Sequence, residues 1–223
     1  MFPLRDVIPS RTFPVVTVAI VSLNALAFLF ELSLRPRALE IFLVTYGLVP
    51  AQFSWATAFT SMFLHGGWAH VIGNMWSLWI FGDNVEDRLG HGRYLAFYLG
   101  CGAFAALAHT WSAPSSIVPT IGASGAVAAV MGGYLVLYPH SRVLTVIPPL
   151  IFSVFEIPAV VFLGFWFLLQ LVSGVGTQLA ATTGEPVGGI AFWAHVAGFA
   201  AGAALVHVLA RPERGEPDWW YVR

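Results

Sequence analysis

The sequence predicts an all-α membrane protein that crosses the bilayer several times. Of its 223 residues 58% are hydrophobic and only 9% charged, and the mean hydropathy is +0.78. A soluble domain carries about 25% charged residues, so this core is built against lipid. Apolar stretches long enough to span, at about 20 residues each, recur along the chain. The arginines also divide unequally between alternate connections.

Six spans are expected, near residues 15–34, 68–81 with flanks, 94–111, 121–138, 158–177 and 189–210. Arg5 and Arg11 before the first stretch resemble a signal peptide, but the apolar run continues without a convincing cleavage site, so it reads as a first span. Six spans put both termini and the second and fourth connections on one side. That side holds Arg5, Arg11, Arg88, Arg93, Arg142, Arg211, Arg214 and Arg223, against Arg35 and Arg37 on the other. The imbalance predicts cytoplasmic termini. The domain plan is a short cytoplasmic N-terminus at 1–14, a helical domain at 15–210 and a cytoplasmic tail at 211–223, with Trp219, Trp220 and Tyr221 placed to anchor at the membrane surface.

The first external connection, about 35–63, carries Phe53, Trp55, Phe59 and Phe63 and is too apolar for a solvated loop. It is expected to lie in the interface or dip into the membrane. The net charge of −1 gives no basic field for nucleic acid. Cys101 is the single cysteine and reads as a small packing residue. His109, His140 and His207 fit no motif, and His91 lies in a charged loop.

Polar groups at membrane depth are costly, so each demands a reason. His70 and Asn74, four apart on the second span, share a helix face, with His65 five residues before His70. Ser124 heads the fourth span and His195 lies on the sixth. The span count puts all five in the outer half of the membrane. Metal binding by His65, His70 and His195 suits neither the five-residue spacing nor the lack of a nearby carboxylate. Transport is disfavoured because all eleven acids fall in loops or at helix ends.

Acyl transfer fits better. A serine needs a base, usually histidine, and His195 can serve Ser124 if the fourth and sixth spans touch. Gly125, Ala128, Gly132 and Gly133 on one, with Ala194, Gly198, Ala201 and Gly202 on the other, allow close backbone approach. With no acid to orient His195 the pair would be a dyad. Asn74, His70 and the Ser124 N–H are candidate donors to an oxyanion, and a helix N-terminus favours developing negative charge there. The plainer reading of Ser124, between Gly122 and Gly125, is a packing serine.

These residues resemble the rhomboid family of intramembrane serine proteases. His65-x4-His70-x3-Asn74, Gly122-Ala123-Ser124-Gly125, and Ala194-His195-x2-Gly198 with Gly202 fit its second-, fourth- and sixth-helix patterns. The loop GDNVEDRLG, residues 82–90, resembles its second loop through Glu86, Arg88 and Gly90. The resemblance implies a six-helix rhomboid bundle with a short central fourth helix, a membrane-embedded first loop, and a fifth helix and following loop acting as gate and cap. Ser124 would be nucleophile, His195 base, and His70, Asn74 and the Ser124 N–H the oxyanion donors. His65, Gly122, Gly125 and Gly198 would support the site, with no cofactor and no metal. Substrates would be single-pass transmembrane proteins, met within the lipid bilayer, most simply in a bacterial or archaeal plasma membrane. Non-catalytic relatives, which bind membrane clients without cutting them, lack the Ser or the His; both are present here. Many relatives carry Trp-Arg in the first loop, where this chain has Trp55-Ala56. Some place a tyrosine four residues after the nucleophile, against the histidine ring; here that position is Ala128, and Phe192 and Trp193 are expected to face elsewhere. The form expected is the minimal one, without a further N-terminal domain.

Overall fold

The apolar run after Pro14 forms α1, Val15–Ser33. No side chain of its own caps α1. The cap comes from far along the chain: the Glu86 carboxylate accepts from the N–H groups of Val16 and Thr17, both at 2.8 Å, and from the Thr17 hydroxyl. An acid at a helix N-terminus satisfies donors that lack intrahelical partners. The computed structural model describes residues 1–147, 153–182 and 191–211. The aromatic cluster 219–221 and most of the connection after the fifth expected span lie outside the described residues.

The first connection folds into α2, Pro36–Tyr46, and α3, Trp55–Thr60, with single 3-10 turns at Pro50–Gln52 and Ser61–Phe63. Pro36 opens α2, where a missing N–H costs nothing. Ser54 caps α3, its hydroxyl accepting from the Thr57 N–H at 3.1 Å. The long helices follow: α4, Trp68–Leu89; α5, His91–Ser112; α6, Ser124–Leu137; α7, Ala159–Thr182; and α8, Phe192–Leu209.

Residues 82–90 are not a loop. α4 continues through Leu89, and the chain turns into α5 at Gly90 alone, whose φ of +79° favours glycine. The charges of this stretch face neighbouring chain: Asp87 accepts from the Arg11 N–H at 2.6 Å and the Thr12 N–H at 3.0 Å. Glu86 is buried, so it caps α1 rather than meeting solvent.

The fold is also not purely helical. Strands β1 (Phe2–Asp6), β2 (Arg142–Val146) and β3 (Val154–Pro158) form one antiparallel sheet in the order β1-β2-β3. Arg142 pairs with Pro158 and Val146 with Val154, while β1 runs along β2 with an irregularity between Pro3 and Arg5. In β2, Val143 and Thr145 are buried while their neighbours are not, the period-two signature of a one-faced strand. The expected N-terminal tail is therefore tied to the α6–α7 connection. Nearby, the Arg211 N–H donates to the Arg88 carbonyl, so the end of α8 lies at the same end of the molecule.

α6 occupies the centre. Its residues from Ala126 to Tyr134 are all buried, and α4, α5 and α8 pack around it, α8 most extensively. A helix that is apolar all round has no solvent face and belongs inside a bundle. α1, residues 159–180 of α7, and α8 are each long and apolar enough to cross a membrane. Leu23, Leu26 and Leu29 on α1 and Leu168, Leu169 and Val172 on α7 are exposed, as they would be against lipid. Cys101 is buried within the core.

Candidate active site

Ser124 is the first residue of α6, so its N–H is among the donors without an intrahelical acceptor. The strand of chain that delivers it is pinned by the first connection. Leu48 and Thr120 exchange backbone hydrogen bonds at 3.0 and 2.8 Å, and the Gly122 N–H donates to the Ser61 carbonyl at 2.9 Å. Gly122 has a φ of +128°, a conformation that favours glycine. Space demands glycine there too: a Cβ would lie 2.6 Å from His70 Nε2 and 3.7 Å from Asn74 Nδ2. The α4 side chains therefore stand against the backbone two residues before Ser124.

The tautomer of His70 follows from its partner. Its Nδ1 accepts from the Gly66 N–H at 3.4 Å, so Nε2 carries the proton and points toward Gly122. Asn74 is buried, and its Nδ2 lies 3.1 Å from His65 Nε2. The backbone N–H of His65 donates to both carboxylate oxygens of Glu31 at 3.3 Å. Glu31 is near the end of α1, as expected, but is only 2% exposed and forms part of this buried chain. His65 thus braces Asn74 and does not itself reach Ser124.

His195 lies one turn into α8. Its Nε2 is 2.8 Å from Ser124 Oγ. The contact exists because α6 and α8 meet through glycine: a methyl at Gly198 would meet the Gly125 carbonyl, and one at Gly202 the Ala129 carbonyl. Gly125 also abuts Ala105 of α5, where an added Cβ would be 2.7 Å from the alanine methyl. A cavity of about 30 Å³ opens beside Ser124, lined by small groups including Ala58, Ser61, Gly102, Ala105 and Ala106. That is room for about one or two waters, or a small side chain.

Two neighbours of His195 come from α7, and the sequence reading did not include them. Gln170 Oε1 lies 2.8 Å from His195 Nδ1, and the Trp166 ring tilts over the imidazole with centroids 6.0 Å apart. Gln170 interrupts the run FLGFWFLLQLV, and a lone amide at membrane depth is itself a signal. Trp166 stands four residues earlier on the same face. The Phe192 ring also presents its edge to His195 at 6.5 Å, because residues three apart on a helix share a face. His109, expected as a packing residue, holds the Thr120 hydroxyl at 2.9 Å. Among the described residues no three His, Cys, Asp or Glu side chains converge as a metal site would require.

The Rhomboid domain family model matches residues 52–212. "Putative rhomboid protease YdcA" of Bacillus subtilis is 34% identical over 128 residues, 56% of this chain and 63% of that protein. "Rhomboid protein 1, mitochondrial" of Saccharomyces cerevisiae is 33% identical over 93 residues, 40% of this chain and 27% of the relative. "Rhomboid-like protein 11, chloroplastic" of Arabidopsis thaliana is 28% identical over 174 residues, 76% and 56% of the two chains. Each match spans less than two thirds of the relative's own length. With its apolar helices and a family match covering most of its length, this integral membrane protein belongs to the rhomboid family.

Proposed function

We propose that the chain is an intramembrane serine endopeptidase that hydrolyses peptide bonds in or near transmembrane segments of membrane-protein substrates. The observation that carries this reading is the 2.8 Å contact between His195 Nε2 and Ser124 Oγ at the N-terminus of a buried helix. The bundle crosses the membrane six times, with both termini in the cytoplasm and the site toward the opposite face. The setting is a bacterial or archaeal plasma membrane.

Ser124 Oγ attacks the scissile carbonyl while its proton passes to His195 Nε2. The tetrahedral oxyanion is met by the Ser124 N–H, the His70 Nε2–H and the Asn74 amide. On collapse the C–N bond breaks and the leaving amine takes the proton from His195. Water then attacks the acyl-serine and gives its proton to His195; the C–Oγ bond breaks, the acid product leaves, and His195 returns the proton to Ser124 Oγ. His65 and Glu31 hold Asn74 in place, and Gly122, Gly125 and Gly198 leave backbone room for the approach.

A helix in lipid hides its carbonyls in internal hydrogen bonds, so the substrate has to unwind locally before attack. Substrates rich in Gly, Ser or Pro lose least by this. The small cavity beside Ser124 favours a small side chain next to the cut bond.

Cleavage of a single-pass model substrate by purified protein in detergent, and labelling of Ser124 by a fluorophosphonate, test the reading together. Cleavage and labelling lost in both Ser124→Ala and His195→Ala are expected, since the two act as a unit. Full cleavage by Ser124→Ala sinks the assignment. Client binding with no cleavage by the wild type would mark a non-catalytic relative.

A further inference from the structure

We propose that Gln170 is the positioning residue of the site, fixing His195 in the tautomer that can act as base. This rests on the Ser124–His195 reading above. A neutral imidazole has one N–H and one lone pair, and only the form with its lone pair on Nε2 can take the serine proton. The carboxamide oxygen of Gln170 is an acceptor only, and it stands 2.8 Å from Nδ1. It therefore keeps the proton on Nδ1 and leaves the Nε2 lone pair facing Ser124 Oγ, also at 2.8 Å. In serine hydrolases with an Asp, the carboxylate does this work. Here the role falls to an uncharged amide.

The geometry is built rather than incidental. α7 and α8 run antiparallel in a fixed register: Trp166 meets Phe199 and His195, Gln170 meets His195, and Gly174 meets Phe192 and Trp193. Those three α7 residues are spaced by four, one per turn, on a single face. Glycine at 174 lets the α8 aromatics close in, an added Cβ there lying 3.3 Å from the Trp193 ring. Phe167 stacks on Phe199 at 4.7 Å and secures the same seam. Trp166 thus lies over the imidazole from α7, a support that Ala128 on α6 cannot give.

Gln170 could simply join two helices, since interhelical hydrogen bonds contribute about 0.6–2 kcal/mol in membranes. That role would change stability and leave the chemistry alone. Among the described residues, the titratable groups whose charge reaches His195 are the imidazoles His70 and His109. A carboxylate at 170 would therefore bring a new kind of neighbour, and it would favour the imidazolium.

The test measures kcat, KM and the pH profile of substrate cleavage for Gln170→Leu, Gln170→Met and Gln170→Glu, with thermal unfolding of each and Ser124→Ala in parallel. Leu and Met keep the bulk and remove the acceptor. We expect kcat to fall roughly 5- to 50-fold in both, the effect of one lost orienting hydrogen bond, with KM within about twofold. Gln170→Glu, an acceptor only, is expected to keep kcat within about fivefold at alkaline pH, with the acidic limb of its profile moved up by about one pH unit. Wild-type kcat and pH profile in Gln170→Leu and Gln170→Met would overturn the proposal. So would loss of activity at every pH in a stably folded Gln170→Glu. Cleavage surviving in Ser124→Ala would instead overturn the underlying assignment, whatever the Gln170 variants do.

Discussion

Gly198 of α8 rests against the carbonyl of Gly125 of α6, the residue after Ser124, so closely that not even a methyl fits between them. One turn away on α8, His195 reaches the serine. The spacing of the two helices is set at this point, and the Ser–His distance with it.

Gly198→Val is therefore expected to cost more than one hundredfold in activity. A displacement of about 1 Å in a catalytic pair is enough for that, and over-packing costs about 1–3 kcal/mol besides. Gly198→Ala should show a smaller loss of the same kind. Gly73 on α4 has open space around it, so Gly73→Ala should leave activity unchanged. Cleavage rates and Tm values of the three variants check the contrast.

Asn74→Ala should lower kcat by about 100- to 1000-fold with little change in KM, the range for loss of one oxyanion donor, the role proposed for Asn74. His65→Ala should lower it less, because His65 acts at one remove, bracing Asn74 and packing edge-on against His70 with ring centroids 5.0 Å apart. The double variant should be no worse than Asn74→Ala, and steady-state kinetics of the set measures that coupling. Additive losses would separate the two residues.

Glu86→Ala should destabilise the protein by about 2–4 kcal/mol, because the Val16 and Thr17 N–H groups lose their buried acceptor. The effect should appear as a lower Tm in detergent. Glu86→Gln keeps an acceptor and should lose less.

Asp6 ties β1 to the bundle. Tyr134 donates to its carboxylate at 2.6 Å and Asn84 at 3.0 Å. Burial lifts the Asp6 carboxyl from 3.8 to about 7; the Tyr134 hydrogen bond works against this and the nearby Asp83 adds to it. A raised acid binds its proton more tightly in the folded state than in the unfolded chain. Its contribution to stability is therefore complete below pH 4 and falls away as pH rises toward about 7. Asp6→Asn should gain stability relative to the wild type as pH rises across that window, by up to about 4 kcal/mol at neutral pH, with a correspondingly higher Tm. Thermal unfolding of the wild type and Asp6→Asn from pH 4 to 8 measures it, and a Tm difference between the two that fails to grow with pH would contradict the sign.

α1, α7 and α8 were legible from their own apolar runs, and Ser124, His195, His70 and Asn74 stood out as polar residues within apolar stretches. The stretch 82–90 misled because its charges suggest water, whereas Glu86 and Asp87 find partners in α1 and the N-terminal segment. The sheet escaped notice because β1 and its partner β2 lie far apart in the chain, and their pairing has no local signature.

The sequence by itself determined what each segment is: apolar helices, a serine at a helix start, and glycines where backbones meet. Only the tertiary structure decided which segments touch and in what register. That register put Gln170 and Trp166 of α7 on His195, gave Glu86 to α1, and joined β1 to β2. A residue's hydropathy and backbone preference are local properties that the chain states outright. A hydrogen bond across helices depends on their axial register and rotation, which the packing of all the helices sets together.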